Sequence, residues 1–227
     1  MSFNTAKQTR PNIIFEENAL IVVNKPADLP TSGRTLDDED CLQFELIQQK
    51  KQMVWAIHQL DADTSGVNLF TSEKKLVQKY KKALEQKNAE KTYLAIVHGT
   101  PNWQTIEDQS PIGKIDSRNL GITPDGKSAH SKFTVLSKTK NHALLKVNIY
   151  SGRTHQIRIH LSHLGFPLVG EEWYRKPVCT LHPRQALHCY QIELHSLNQA
   201  FIAPWPQDLQ QLLQDLQLTF PVAFYKK

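Results

Sequence analysis

His58-Gln59-Leu60-Asp61-Ala62-Asp63-Thr64-Ser65-Gly66-Val67 is the stretch on which the rest of the chain turns. It gathers two carboxylates, a histidine and two hydroxyls into one short loop. The apolar run Met53-Val54-Trp55-Ala56-Ile57 precedes it and Val67-Asn68-Leu69-Phe70 closes it, and both read as buried strands. A polar loop between two apolar strands is a usual place for chemistry, because the scaffold is rigid and the loop accessible. Three readings compete. Asp61, Asp63, Ser65 and Gly66 fall at positions one, three, five and six of a calcium loop, but Ser72 stands where the bidentate Glu is required and the flanks are not helices. In a purely structural reading, Asp and Ser side chains hold a tight turn and Gly66 relaxes it. In the third, one aspartate is a nucleophile. The loop alone does not choose.

The chain of 227 residues is long enough for one sizeable core, or one domain with a small appendage. Hydrophobic content of 40% and charged content of 22% suit a globular protein in water. No run approaches a membrane span, and residues 1–7 have no apolar signal core, so a cytoplasmic location without membrane contact is expected. Cys41, Cys179 and Cys189 form no close pair and read as reduced thiols. A net charge of +5 permits a polyanionic partner without requiring one.

Residues 1–12 read as a polar, flexible tail and 13–227 as a single domain. Ile13-Ile14-Phe15 and Leu20-Ile21-Val22-Val23-Asn24 suggest a hairpin, ended by Lys25-Pro26. Residues 27–40 form an acidic loop, and 41–51 a short helix with Leu42, Leu46 and Ile47 inward. Ser72 is placed to cap a helix carrying Leu76, Tyr80 and Leu84 at helical spacing, surrounded by Lys74, Lys75, Lys79, Lys81 and Lys82. Residues 91–99 read as a strand, 100–128 as a long mobile loop with a short strand near Ile106, and 131–136 and 143–149 as two further strands. Residues 154–164 read as a helix ended by Gly165, 189–194 as a strand, 201–204 as an edge strand, and 208–218 as a helix with Leu209, Leu212, Leu213 and Leu216 inward. Strands without regular helical alternation predict an α+β fold: a mixed, mostly antiparallel sheet with flanking helices.

The second polar concentration holds Arg153, His155, Gln156, Arg158, His160 and His163. The histidine spacings of five and three are not those of a zincin, and no His-Glu-x-x-His occurs, so no metal is expected. Two arginines on a helix, in a chain whose 58–67 loop is one candidate for chemistry, are better explained as an anion site. The plainer alternative pairs Arg158 with a surface carboxylate.

The separate pieces also occur in a familiar order. Residues 58–66 resemble the H-R-L-D-x-x-T-S-G signature of RluA-type pseudouridine synthases, and Val23-Asn24-Lys25-Pro26 resembles the element upstream of it. Lys91-Thr92-Tyr93-Leu94-Ala95-Ile96-Val97 is similar to the family's K-x-Y-x-A-x-V strand and Gly126-Lys127-Ser128-Ala129 to its G-K-x-A element. Residues 151–161 resemble T-G-R-T-H-Q-I-R-V-H-L, residues 165–170 G-h-P-i-x-G, and 184–188 R-x-x-L-H. Each match alone is weak, but together and in order they are specific.

The resemblance implies an isomerase that breaks the C1′–N1 bond of a uridine in tRNA or rRNA, turns the uracil and joins C5 to C1′, with no cofactor. It implies Asp61, rather than Asp63, as the catalytic carboxylate, Tyr93 as the ring beneath the uracil with a hydroxyl that helps remove the C5 proton, and Arg158 as the cation beside Asp61. Lys25, His58, Gln59, Thr64, Ser65, Lys91, Arg153, His155 and Gln156 would contact substrate or RNA. A monomer with RNA, not DNA, as partner is expected, and a bare catalytic domain with no room for an S4 module before Ile13. Three positions depart from the pattern: Gln59 replaces the usual arginine, Asp28 a glycine and Glu171 an aspartate. Gln59 motivates the alternative, a catalytically impaired RNA-binding protein on the same fold, since glutamine brings no charge to a phosphate. A glycosidase or hydrolase using the same carboxylates is a third possibility.

Overall fold

The computed structural model describes residues 11–35, 38–85, 89–117 and 119–221. Most of the tail expected over 1–12 lies outside them. The first strands, β1 (Asn12–Glu17) and β2 (Leu20–Lys25), form the expected hairpin. Asn18 and Ala19 both take positive φ, 49° and 65°, the geometry that lets a two-residue turn follow the twist of its strands. Next come α1 (Leu42–Lys50), β3 (Trp55–Ala56), β4 (Ser65–Thr71) and α2 (Val77–Leu84). They are followed by β5 (Ala89–His98), β6 (Thr105–Asp108), β7 (Ile112–Lys114) and β8 (Leu120–Ile122). The rest are β9 (Ser131–Lys138), β10 (His142–Ile149), α3 (Gln156–His163), β11 (Leu187–Leu194), β12 (Gln199–Ile202) and α4 (Gln207–Asp215).

The large sheet runs β1-β2-β4-β11-β5-β10-β9-β6, with β12 beside β11 and β3 beside β4. Every pairing in it among the described residues is antiparallel except β4 with β11, where Ser65 and Gly66 lie opposite His188 and Cys189. This is the mixed, mostly antiparallel sheet that the sequence predicts. Its parallel junction sits where the 58–66 loop enters β4.

Alternation along the strands divides the core. Leu20 and Val22 of β2, Val67 and Leu69 of β4, and Tyr93, Ala95 and Val97 of β5 share one cluster with Tyr80 and Leu84 of α2 and Ile157 and Leu161 of α3. Successive side chains of a strand point to opposite faces. The intervening residues therefore feed two clusters on the other face: Ile21, Val23 and Phe70 pack with Leu42 and Leu46 of α1, while Leu94, Ile96 and Leu144 pack with Leu209, Leu212 and Leu213 of α4. A bulge between Cys189 and Gln191 shifts the phase of β11, so Leu187, Cys189, Ile192 and Leu194 all reach the first cluster.

Several local expectations need correction. The 100–128 region is not one loop: it supplies β6 to the large sheet and folds β7 onto β8 as a small sheet of its own. Gly113 and Gly121 face each other there, and composition hid strands as short as these. Ser72 caps no helix; its amide donates to Ala19 O at 3.0 Å, and the neighbouring Thr71 Oγ1 accepts the Glu73 amide at 3.2 Å instead. The predicted strand over 53–57 shrinks to two residues, with Met53 exposed. Helix α3 starts at Gln156 rather than 154, because His155 holds a left-handed φ of 54°. Helix α4 closes at Asp215, with Gln217 in the left-handed region.

Candidate active site

The face carrying α2 and α3 holds a cavity of about 800 Å³. Asp61, Tyr93 and Arg158 all border it, as do His58, Gln59, Thr64, Lys91, Arg153, His155 and Gln156; Asp63 does not. Residues up to 97 positions apart are thereby brought together: the loop before β4 supplies Asp61, the middle of β5 supplies Tyr93 and the first turns of α3 supply Arg158.

The loop is held from beneath, carbonyl by carbonyl. Lys25 is fully buried, and its Nζ donates to Pro26 O at 2.8 Å and to Leu29 O and Ala62 O at 2.7 Å each. Burial pushes its amine down to about 7, yet three acceptors around one Nζ match three N–H donors, which only the ammonium has. Arg184, also buried, donates to Asp63 O at 2.8 Å and binds Asp208 Oδ2 at 2.7 Å. Thr31 Oγ1 accepts the Leu60 amide at 3.0 Å, and the Asp61 carbonyl accepts the Thr64 amide at 3.0 Å. Lys25 and Ser65 therefore lie under the loop rather than on the cavity. Ser65 Oγ sits 2.9 Å from His188 Nδ1 inside the protein.

His58 Nε2 accepts the Leu69 amide at 3.2 Å, and burial pushes the imidazole down to about 4. It is thus a neutral brace at the cavity edge. Gln156 is similar: its amide spans His130 O, Ser131 Oγ, Ser151 Oγ and the Arg153 amide, all at 2.8 to 3.1 Å. Gln59 is exposed and donates to Ser32 Oγ at 3.0 Å. Thr64 is buried and accepts from Gln185 Nε2 at 3.4 Å. Arg153 stays exposed, with Nε on Ser128 O at 2.8 Å.

Arg158 is 5% exposed and grips Glu171, itself fully buried, through two parallel bonds of 2.9 and 2.7 Å. Glu171 Oε1 also accepts the amides of Trp173 and Tyr174. Arg158 Nη1 is left facing Asp61 Oδ2 at 3.5 Å, and the Trp173 and Tyr174 rings lie 5.1 and 5.4 Å from the guanidinium carbon. His155 Nε2 stands 3.8 Å from the other Asp61 oxygen, while its Nδ1 is 2.8 Å from Tyr174 Oη. Asp61 keeps 26% of its side chain open to the cavity. Burial pushes the Tyr93 phenol well above the ordinary tyrosine range, and its hydroxyl is hydrogen-bonded to Cys189. The phenol therefore stays protonated near neutral pH.

The alternative partner weighed for Arg158, a surface carboxylate, is replaced by a buried one. Glu171 was visible in the sequence only as a departure, and Trp173 and Tyr174 carried no signal of their own, because their contact with Arg158 depends on how the segment after α3 folds back. The three histidines of the zinc reading take separate partners: His160 meets Ser131 and Ser110, His163 meets Asp108, and His155 meets Tyr174.

Comparison with known proteins gives a consistent result. Residues 19–163 match the family described as RNA pseudouridylate synthase. The chain is 32% identical over 214 residues to the uncharacterized RNA pseudouridine synthase YhcT of Bacillus subtilis, covering 88% of this chain and 70% of the relative. It is 30% identical over 224 residues to the ribosomal large subunit pseudouridine synthase D of Nitrosomonas europaea, covering 90% of this chain and 65% of the relative. The human RNA pseudouridylate synthase domain containing 4 superposes with a TM-score of 0.78 at 22% identity, over 92% of this chain and 94% of that one. The last likeness speaks to the fold.

Proposed function

The chain belongs to the RNA pseudouridylate synthase family, and from that premise we propose that it isomerises a specific uridine of tRNA or rRNA with Asp61 as its catalytic carboxylate. The observation that carries this reading is the position of Asp61: open to the cavity, 3.5 Å from a buried guanidinium, with Tyr93 in the same wall.

The chemistry follows from those groups. As the C1′–N1 bond breaks, C1′ becomes electron-poor, and the Asp61 carboxylate traps or stabilises it. The detached uracil turns, C5 bonds to C1′ as the bond to Asp61 breaks, the C5 proton passes to solvent through the open cavity, and solvent returns one to N1. Atoms balance without redox change or added water. Arg158 faces the carboxylate at 3.5 Å and orients it toward the cavity. Tyr93 serves as a ring on which the uracil stacks; its phenol, kept protonated by burial and bonded to Cys189, argues against a phenolate that takes the C5 proton. To reach Asp61 the base must leave its stack, and Lys81, Lys91 and Arg153 at the cavity are suited to the phosphates of that everted segment. Gln59 offers a hydrogen bond but no charge at the position where arginine is usual. A monomer acting in the cytoplasm completes the proposal.

Release of tritium from C5-labelled uridine, followed separately in tRNA and in rRNA, is the test. Release from one substrate assigns the class. No release from either, beside an active control, favours the reading that Gln59 motivates, an RNA-binding protein without turnover.

A further inference from the structure

Six large apolar side chains are markedly exposed among the described residues: Met53, Ile115, Tyr150, Trp173, Val178 and Leu181. Two of them are aromatic: Tyr150 borders the cavity, and Trp173 packs on His155 and Arg158, which line it. Tyr150, 51% exposed, borders it directly, its ring 4.6 Å from that of His130. Trp173, 65% exposed, stands edge-on to His155 at 5.0 Å and lies over Arg158 at 5.1 Å. Each ring is steadied by a partner, so little freedom remains to be lost when something stacks on it, and each still presents much of its surface to water. The cations nearby account for phosphates but not for bases. Single-stranded RNA is held by both, with aromatic rings as the platforms for splayed bases.

We infer that Trp173 and Tyr150 are stacking platforms for the nucleotides flanking the everted uridine, an inference that rests on the isomerase reading above. The rings thereby help decide which RNA segment is accepted, while Asp61, Tyr93 and Arg158 act on the uridine itself.

Binding of a fluorescein-labelled oligouridylate to the full chain tests this, with an abasic ribose-phosphate oligomer of equal length and charge as the comparison. Trp173→Ala and Tyr150→Ala are each expected to raise the Kd for oligouridylate by roughly 5- to 150-fold, the span of base–aromatic stacking. Binding of the abasic oligomer should not change. The slope of log K against log salt should also hold, since no charge is removed. Trp173→Phe should restore most of the affinity. If Trp173 only covers Arg158, Trp173→Ala will lower kcat and leave oligouridylate binding untouched. That outcome, or equal wild-type affinity for the two oligomers, overturns the inference. Ring-dependent binding by a wild-type protein that releases no tritium supports the platforms and removes the isomerase reading instead.

Discussion

Arg158 shows how much of the site rests on a single counter-ion. Two of its three nitrogens are engaged by Glu171, and the third is aimed at Asp61. Removing one partner of a buried pair leaves an uncompensated charge and costs about 3–5 kcal/mol. Glu171→Ala is therefore expected to lower unfolding free energy by that order in a denaturant titration, and to depress kcat because Arg158 is released from its bearing on Asp61. Glu171→Asp keeps the charge and should cost less in both. A lysine is almost never fully buried without partners, so the sequence reading of Lys25 as an RNA contact is the natural one. Only the fold reveals three carbonyls converging on its Nζ.

Among the elements, β4 matters most. Gly66 has a φ of 118°, and a Cβ there would fall 2.1 Å from the Cys189 carbonyl oxygen of β11. Backbone cannot yield as a side-chain tip can. Gly66→Ala is expected to break the parallel β4–β11 junction, with loss of soluble protein or a collapse in Tm; a variant that folds with unchanged Tm would contradict that packing. The strands and helices themselves were largely legible, since period-2 and period-3.6 patterns are local. The β4–β11 pairing was not, because its partners are more than 120 residues apart and nothing in either strand names the other. The β7–β8 hairpin is hidden in the sequence for a different reason: Gly113, Gly121 and Pro111 look like loop punctuation, and strands of three residues are too short to show a period.

At the scale of the whole molecule, neutral buried histidines make stability depend on acid. His58 and His188 lie near 4 in the fold, pushed down by burial, with ring nitrogens committed to the Leu69 amide, Ser65 Oγ and Ala203 O. Unfolded histidine takes up its proton near 6.5. The stabilisation is thus fully present above about pH 6.5 and is lost as pH falls toward 4, at up to about 1.4 kcal/mol per pH unit for each ring. Thermal melts from pH 7 to pH 4 should show a falling Tm, shallower in His58→Gln. A flat profile would mean these rings are not neutral braces. The ordered motifs make Asp61, Tyr93 and Arg158 legible together, whereas the pairing of Glu171 with Arg158 and the contacts of Trp173 and Tyr174 depend on how the segment after α3 closes over Arg158. The most direct test of the whole account is tritium release from C5-labelled RNA by Asp61→Asn beside the wild type, with folding checked by Tm and RNA binding by titration. The wild type is expected to release tritium and a folded, RNA-binding Asp61→Asn none above background; turnover retained by that variant would contradict the role of Asp61.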